Sequence, residues 1–115
     1  MSILIVDDHP SFRASARAVL LAEGFDVVGE AEDGASALEA VRTLGPDVVL
    51  LDVQLPDSDG FAIAAEMTKS GDGPAVVLTS SRDAADFGPL IAESGARGFI
   101  PKAEICCASL TALLE

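Results

Sequence analysis

Asp7 and Asp8 follow an apolar run at residues 3–6, Asp52 follows one at 48–51, Thr79-Ser80-Ser81 follow one at 75–78, and Lys102 stands just beyond Phe99-Ile100. Brought to one place, these residues would gather three carboxylates, several hydroxyls and a single ammonium. Two carboxylates about 4 Å apart repel by roughly 4 kcal/mol at an effective dielectric near 20, and a third makes the balance worse. Such a group calls for more positive charge than Lys102 supplies. Carboxylate oxygens with positions left over for water or phosphate suit Mg²⁺, a hard cation that also neutralises a phosphoryl group in transit. An aspartate is itself a workable nucleophile toward an activated phosphoryl donor once its charge is screened.

A succession of parallel strands would bring these residues together. Apolar runs recur at 3–6, Val27-Val28, 48–51, 75–78 and Phe99-Ile100. Between them lie stretches with helical spacing, as in Phe12, Ala16, Val19 and Leu20, and again in Leu38 and Val41. The pattern is β then α, five times. Nearly continuous Val/Ile/Leu runs suit strands buried on both faces by crossover helices, whereas a half-solvated sheet would alternate. Gly24, Gly45-Pro46, Gly71-Asp72-Gly73-Pro74 and Gly95 punctuate the elements. Parallel strands deliver their carboxyl ends to one edge, where open α/β sheets bind ligands. With no repeat, low-complexity tract or linker, residues 1–115 read as a single domain.

Composition narrows the function. Among 115 residues, 7 are basic and 19 acidic, for a formal charge of −12. That surface repels phosphate backbones and anionic lipid, so direct nucleic-acid or membrane contact by this segment is not expected. Cys106 and Cys107 are adjacent and read as free thiols of a reducing cytosol. No apolar run approaches the roughly 18 residues of a membrane span, and no basic leader is present, so a cytoplasmic location is expected. Gly-x-Gly-x-x-Gly and Walker motifs are missing, which leaves nucleotide binding without support.

Each polar residue also has a plain reading. Asp8 could cap the helix that contains Phe12, Asp52 could close a turn, Lys102 could be a solvated lysine, and Phe99 could be core. His9, in Asp-His-Pro at a helix start, is read as structural. It is their joint position at one sheet edge that favours chemistry.

Asp7-Asp8, LDVQLPDSDG at 51–60, LTSS at 78–81 and GFIPK at 98–102 together resemble the receiver domain of bacterial two-component response regulators. The likeness covers essentially the whole chain and is nearest to receivers that precede a helix-turn-helix DNA-binding domain. It implies a doubly wound, flavodoxin-like (βα)5 fold, with a five-stranded parallel sheet in order 2-1-3-4-5. It further implies that Asp52 is the phosphoacceptor for a sensor histidine kinase. Asp8 and Asp52 would ligate Mg²⁺ directly, Asp7 through a water, and the Gln54 backbone carbonyl would complete the protein's share. Lys102 would pair with Asp52 at rest and with a phosphoryl oxygen after transfer. Thr79 and Phe99 would be the switch pair that remodels the face of the fourth helix, fifth strand and fifth helix. Gln54 and Ser81 would tune the lifetime of the phosphoryl group.

The resemblance implies control of an effector domain or output partner, with homodimerisation on phosphorylation within the family's repertoire. Such a domain is no enzyme beyond its own phosphorylation and dephosphorylation. A receiver-like interaction module that is never phosphorylated is the alternative. A dehalogenase-like phosphatase would need an acid two positions after Asp52, where Gln54 stands, and a flavin phosphate would be repelled by Asp7-Asp8. Three features depart from the family pattern. Gly88-Pro89 predicts that the fourth helix starts late, near Pro89, or is broken. Proline precedes Lys102 here instead of following it, and Phe99 replaces a more frequent tyrosine, so it lacks a hydroxyl. The stretch with Ile105, Leu110, Leu113 and Leu114 predicts a last amphipathic helix.

Overall fold

Strand side chains point alternately to opposite faces, so a continuous apolar run feeds two cores at once, one on each side of a sheet. The computed structural model describes residues 1–82, 84–105 and 110–114. In chain order the elements are β1 (Ser2–Val6), α1 (Pro10–Ala22), β2 (Asp26–Ala31), α2 (Gly34–Leu44), β3 (Val48–Asp52), α3 (Gly60–Thr68) and β4 (Ala75–Ser80). A short 3-10 turn (Ala84–Asp86), α4 (Leu90–Glu93), β5 (Gly98–Pro101), a second 3-10 turn (Lys102–Glu104) and α5 (Leu110–Leu114) complete it. All strand pairings are parallel, in the order β2-β1-β3-β4-β5. The fold is the doubly wound, flavodoxin-like sheet expected from the sequence.

Leu4, Val6, Val49, Leu51, Val76 and Leu78 pack on one face against Ala37 of α2 and Phe61, Ala64 and Met67 of α3. Ile3, Ile5, Val48, Leu50 and Val77 pack on the other against Ala16 and Leu20 of α1 and Leu110 of α5. These strand side chains are at most 1% exposed, and each contributes about 1.5–3 kcal/mol relative to a solvated one. The loops at the carboxyl edge therefore stand on a rigid base.

Helix starts and stops have local causes. α1 opens at Pro10, whose fixed φ suits the first helical turn. Its N-cap is His9, with no side-chain capping bond, so Asp8 does not take the capping role and its carboxylate stays at the sheet edge. α4 begins only at Leu90, after Pro89, and spans four residues. Gly88 has φ +56°, a left-handed conformation that glycine adopts without cost. The late start predicted from Gly88-Pro89 is what the chain adopts. The stretch after Lys102 divides into the second 3-10 turn and α5, with Ile105 and Leu110 buried; Cys106 and Cys107 lie outside the described residues. Among the described residues, no helix is long and apolar enough to cross a membrane.

Strand order then decides what meets what. β1 lies beside β3 with Val6 opposite Leu51, so the residues that follow β1 meet the end of β3. Asp52 pairs with Thr79, and Thr79 with Ile100.

Candidate functional site

At that edge Asp7 and Thr79 are fully buried and Asp52 is 3% exposed, while the Asp8 side chain is 36% exposed. One ligand atom each from Asp7, Asp8, His9 and Asp52 lies within 4.8 Å of the others. Asp7 Oδ1 accepts the His9 backbone N–H at 2.8 Å and stands 3.0 Å from His9 Nδ1. His9 Nδ1 is also 3.0 Å from Asp8 Oδ1. Lys102 reaches in between the acids: its Nζ is 2.6 Å from Asp7 Oδ2, 3.4 Å from Asp52 Oδ2 and 4.6 Å from the centroid of the Phe12 ring. The pairing expected of Lys102 with Asp52 is therefore present, but its shorter contact is with Asp7.

Three carboxylates share one ammonium, and the imbalance is visible in the geometry. The Lys102 ammonium, 2.6 Å from the buried Asp7 Oδ2, is the only cation in contact with that oxygen among the described residues, and at 3.4 Å it stands farther from Asp52. Burial, and then the negative charge of Asp7, push the Asp52 carboxyl up to about 6. Lys102 and the Gln54 N–H, which donates to Asp52 Oδ1 at 3.2 Å, pull the other way. A buried carboxyl kept this close to neutrality is one that gains from an added cation. The donor atoms are hard oxygens at a sheet edge open to solvent through Asp8, which suits a divalent cation such as Mg²⁺.

The other expected residues lie around this cluster. Thr79 Oγ1 donates to the Ile100 carbonyl at 2.6 Å. Phe99 is partly buried against the α3 side of the sheet, its ring centroid 5.7 Å from that of Phe87, which in turn lies 5.3 Å from Phe61. Gln54 sits two residues past the end of β3 on the loop to α3, and Ser81 is exposed after β4.

Across residues 3–112 the chain matches the family model for the response regulator receiver domain. The chain belongs to the response regulator receiver family. This receiver is 38% identical to the signal receiver domain of NarL from Mycobacterium tuberculosis, with a TM-score of 0.84 over 98% of this chain and 95% of that one. It is 31% identical to the BeF3-activated N-terminal receiver domain of Klebsiella pneumoniae RstA, with a TM-score of 0.78 over 99% and 92%. Over 104 residues it is 32% identical to the DNA-binding transcriptional activator EvgA of Escherichia coli, which covers 90% of this chain and 51% of EvgA. The chain spans about half the length of the curated relatives it matches. It is thus a receiver of two-component systems, and the curated proteins it matches carry the names of transcription regulators. Receivers bind Mg²⁺ at an acidic pocket, and Asp7, Asp8 and Asp52 form such a pocket here.

Two residues at the receiver's site escaped sequence reasoning. Arg13, one turn into α1, donates from Nη1 to the Asp7 carbonyl at 2.6 Å while its Nε donates to Glu30 Oε1 of β2 at 3.0 Å. Phe12 lends its ring face to Lys102. Both look like ordinary members of an amphipathic helix, and neither carries a motif.

Proposed function

We propose that this receiver is a Mg²⁺-dependent phosphoacceptor switch in which Asp52 accepts a phosphoryl group from a histidine kinase. What carries the reading is the charge imbalance at the sheet edge. Two buried carboxylates and a partly exposed third face one ammonium, which contacts Asp7 Oδ2 at 2.6 Å and Asp52 Oδ2 only at 3.4 Å. Asp8 and Asp52 would hold Mg²⁺, Asp7 would support it through a water, and Gln54 would offer its backbone carbonyl. The cation, when bound, neutralises charge on the phosphoryl oxygens.

The chain's own groups do the rest. A carboxylate oxygen of Asp52 forms the new P–O bond as the donor's P–N bond breaks. The electron pair goes to the departing imidazole nitrogen, which takes a proton from solvent. Lys102, already between Asp7 and Asp52, meets a phosphoryl oxygen and offsets the charge that has arrived. The acyl phosphate brings up to two negative charges and new acceptor oxygens. Thr79 exchanges its bond to the Ile100 carbonyl for one to a phosphoryl oxygen, and the Phe99 ring takes up the space released. With no hydroxyl, Phe99 acts in this by packing alone. The α4-β5-α5 face is thereby remodelled, a local charge event read elsewhere. Attack of water on phosphorus returns the Asp52 carboxylate and inorganic phosphate.

Residues 1–115 form a single receiver domain in this reading, acting in the bacterial cytoplasm. Its partners are a sensor histidine kinase and an effector domain or output protein that controls transcription, with a second copy of the chain joining on phosphorylation. The test is intact mass after treatment with a small phosphodonor and Mg²⁺. One phosphoryl adduct is expected on the wild type and none on Asp52→Ala. No adduct on the wild type, or an undiminished one on the variant, refutes the assignment and leaves the phosphorylation-independent interaction module.

A further inference from the structure

The loop at residues 53–59 carries Gln54 away from Asp52 and ends at Asp59, the N-cap of α3. Its tip is fastened to a different helix. Asp57 Oδ1 accepts the Gly34 N–H at 2.8 Å and Oδ2 accepts the Ala35 N–H at 3.1 Å. The next amide of α2, Ser36 N–H, goes to Asp33 Oδ1 at 2.8 Å. Two carboxylates from separate loops thus divide the first three amides of α2, although Asp33 and Ser36 already form a complete capping box. The Asp57 carboxyl is held below its ordinary range, by the Gly34 N–H first and the Ala35 N–H second.

The close approach depends on Gly34. A Cβ there would lie 2.2 Å from Ser58 Oγ, 2.9 Å from Ile63 Cδ1 and 3.2 Å from Asp57 Oδ1. The loop is also closed on itself. Leu55 N–H donates to Ser58 O at 3.2 Å, Gly60 N–H donates to Val53 O at 2.7 Å, and Gln54 pairs with Asp59 across an antiparallel bridge. A displacement at Asp57 is therefore carried to Gln54, whose N–H donates to Asp52 Oδ1.

We propose that Asp57 is a positioning residue that clamps the β3–α3 loop to the N-terminus of α2 and so sets how tightly the acidic pocket holds a divalent cation. This rests on the Mg²⁺ reading of the pocket, with the Gln54 backbone as the link. Two substitutions open the same contact from opposite sides. Asp57→Ala removes the acceptor, whereas Gly34→Ala sets a Cβ against Ser58 Oγ and Ile63 Cδ1 and crowds Asp57 Oδ1 with no change of charge.

The readouts are Mg²⁺ titration by calorimetry and, in metal-free protein, amide hydrogen exchange at Gln54. Each variant is expected to weaken Mg²⁺ binding about 10-fold, the usual cost of losing support behind a ligand. The double variant should be no weaker than the worse single, because one contact is lost only once. Gln54 should exchange faster in both. Asp57→Asn, which loses the charge but keeps one acceptor, should fall between wild type and Asp57→Ala, and it decides the matter if Gly34→Ala does not fold. Asp72→Ala, an exposed acid before β4, should leave affinity unchanged. Equal losses in Asp57→Asn and Asp57→Ala, or additive losses in the double variant, would make Asp57 a matter of charge and overturn the clamp. So would unchanged exchange at Gln54. A wild type that binds no Mg²⁺ would instead overturn the parent reading, since the exchange measurement needs no metal.

Discussion

Asp52→Asn should stabilise the metal-free fold at neutral pH. In the folded chain the Asp52 carboxyl is raised from an ordinary 3.8 to about 6, burial being the larger cause and the Asp7 charge the second. Below 3.8 the group is protonated whether the chain is folded or not, and it contributes nothing to pH dependence. As pH rises toward 6 the unfolded chain gives up this proton while the folded chain keeps it, so stability falls. Above 6 the loss is complete and constant. A rise of that size corresponds to about 3 kcal/mol, and this is the most the substitution can recover. Asparagine keeps an Oδ1 to accept the Gln54 N–H, while Lys102 keeps its shorter contact with Asp7.

Urea denaturation with a chelator present, followed by circular dichroism from about pH 4 to about pH 7.5, measures the difference. The variant's advantage should grow between about pH 4 and 6 and then level off. Mg²⁺ should stabilise the wild type in proportion to RT ln(1 + [Mg²⁺]/Kd) and the variant far less, narrowing the gap. A variant no more stable than wild type at about pH 7.5, or an advantage that does not change with pH, would refute the placement of an ionised Asp52 in a site short of positive charge.

Asp8→Ala should lose more Mg²⁺ affinity than Asp7→Ala, by calorimetric titration; equal or reversed losses would assign the direct ligand to Asp7. Lys102→Met takes the ammonium from between Asp7 and Asp52, so the Asp52 carboxyl should titrate above its present value of about 6. Carbon-13 NMR of the aspartate carboxyls reads this directly, and a lower titration would contradict the geometry. Thr79→Val leaves the Ile100 carbonyl without its donor and should cost about 1–3 kcal/mol in urea unfolding. It should still accept a phosphoryl group by intact mass while losing the shift of Phe99 ring resonances that follows phosphorylation in the wild type.

Much of the fold could be read from the order of residues because burial and periodicity are local properties. The continuous runs at 3–6 and 48–51 are apolar at every position because both faces of β1 and β3 are covered. Gly88-Pro89 foretold where α4 starts, since a proline restricts its own backbone and that of the residue before it. Arg13 and Asp57 were not legible. What ties them to the site is a backbone carbonyl for Arg13 and two backbone amides for Asp57, groups that no side-chain pattern reveals.

The sequence by itself determined the inventory at the carboxyl edge: which strands end in acids, which in a hydroxyl and which in a lysine. Tertiary structure decided how that inventory is shared. Strand order set Asp7 beside Asp52, and side-chain reach gave Lys102 its 2.6 Å contact with Asp7 and its 3.4 Å contact with Asp52. Loop closure bound Asp57 to a helix that begins 23 residues before it. Residue types are fixed at synthesis. Distances of a few tenths of an ångström, on which Coulomb energies and hydrogen bonds depend in a buried site, arise only when separate strands and loops pack against one another.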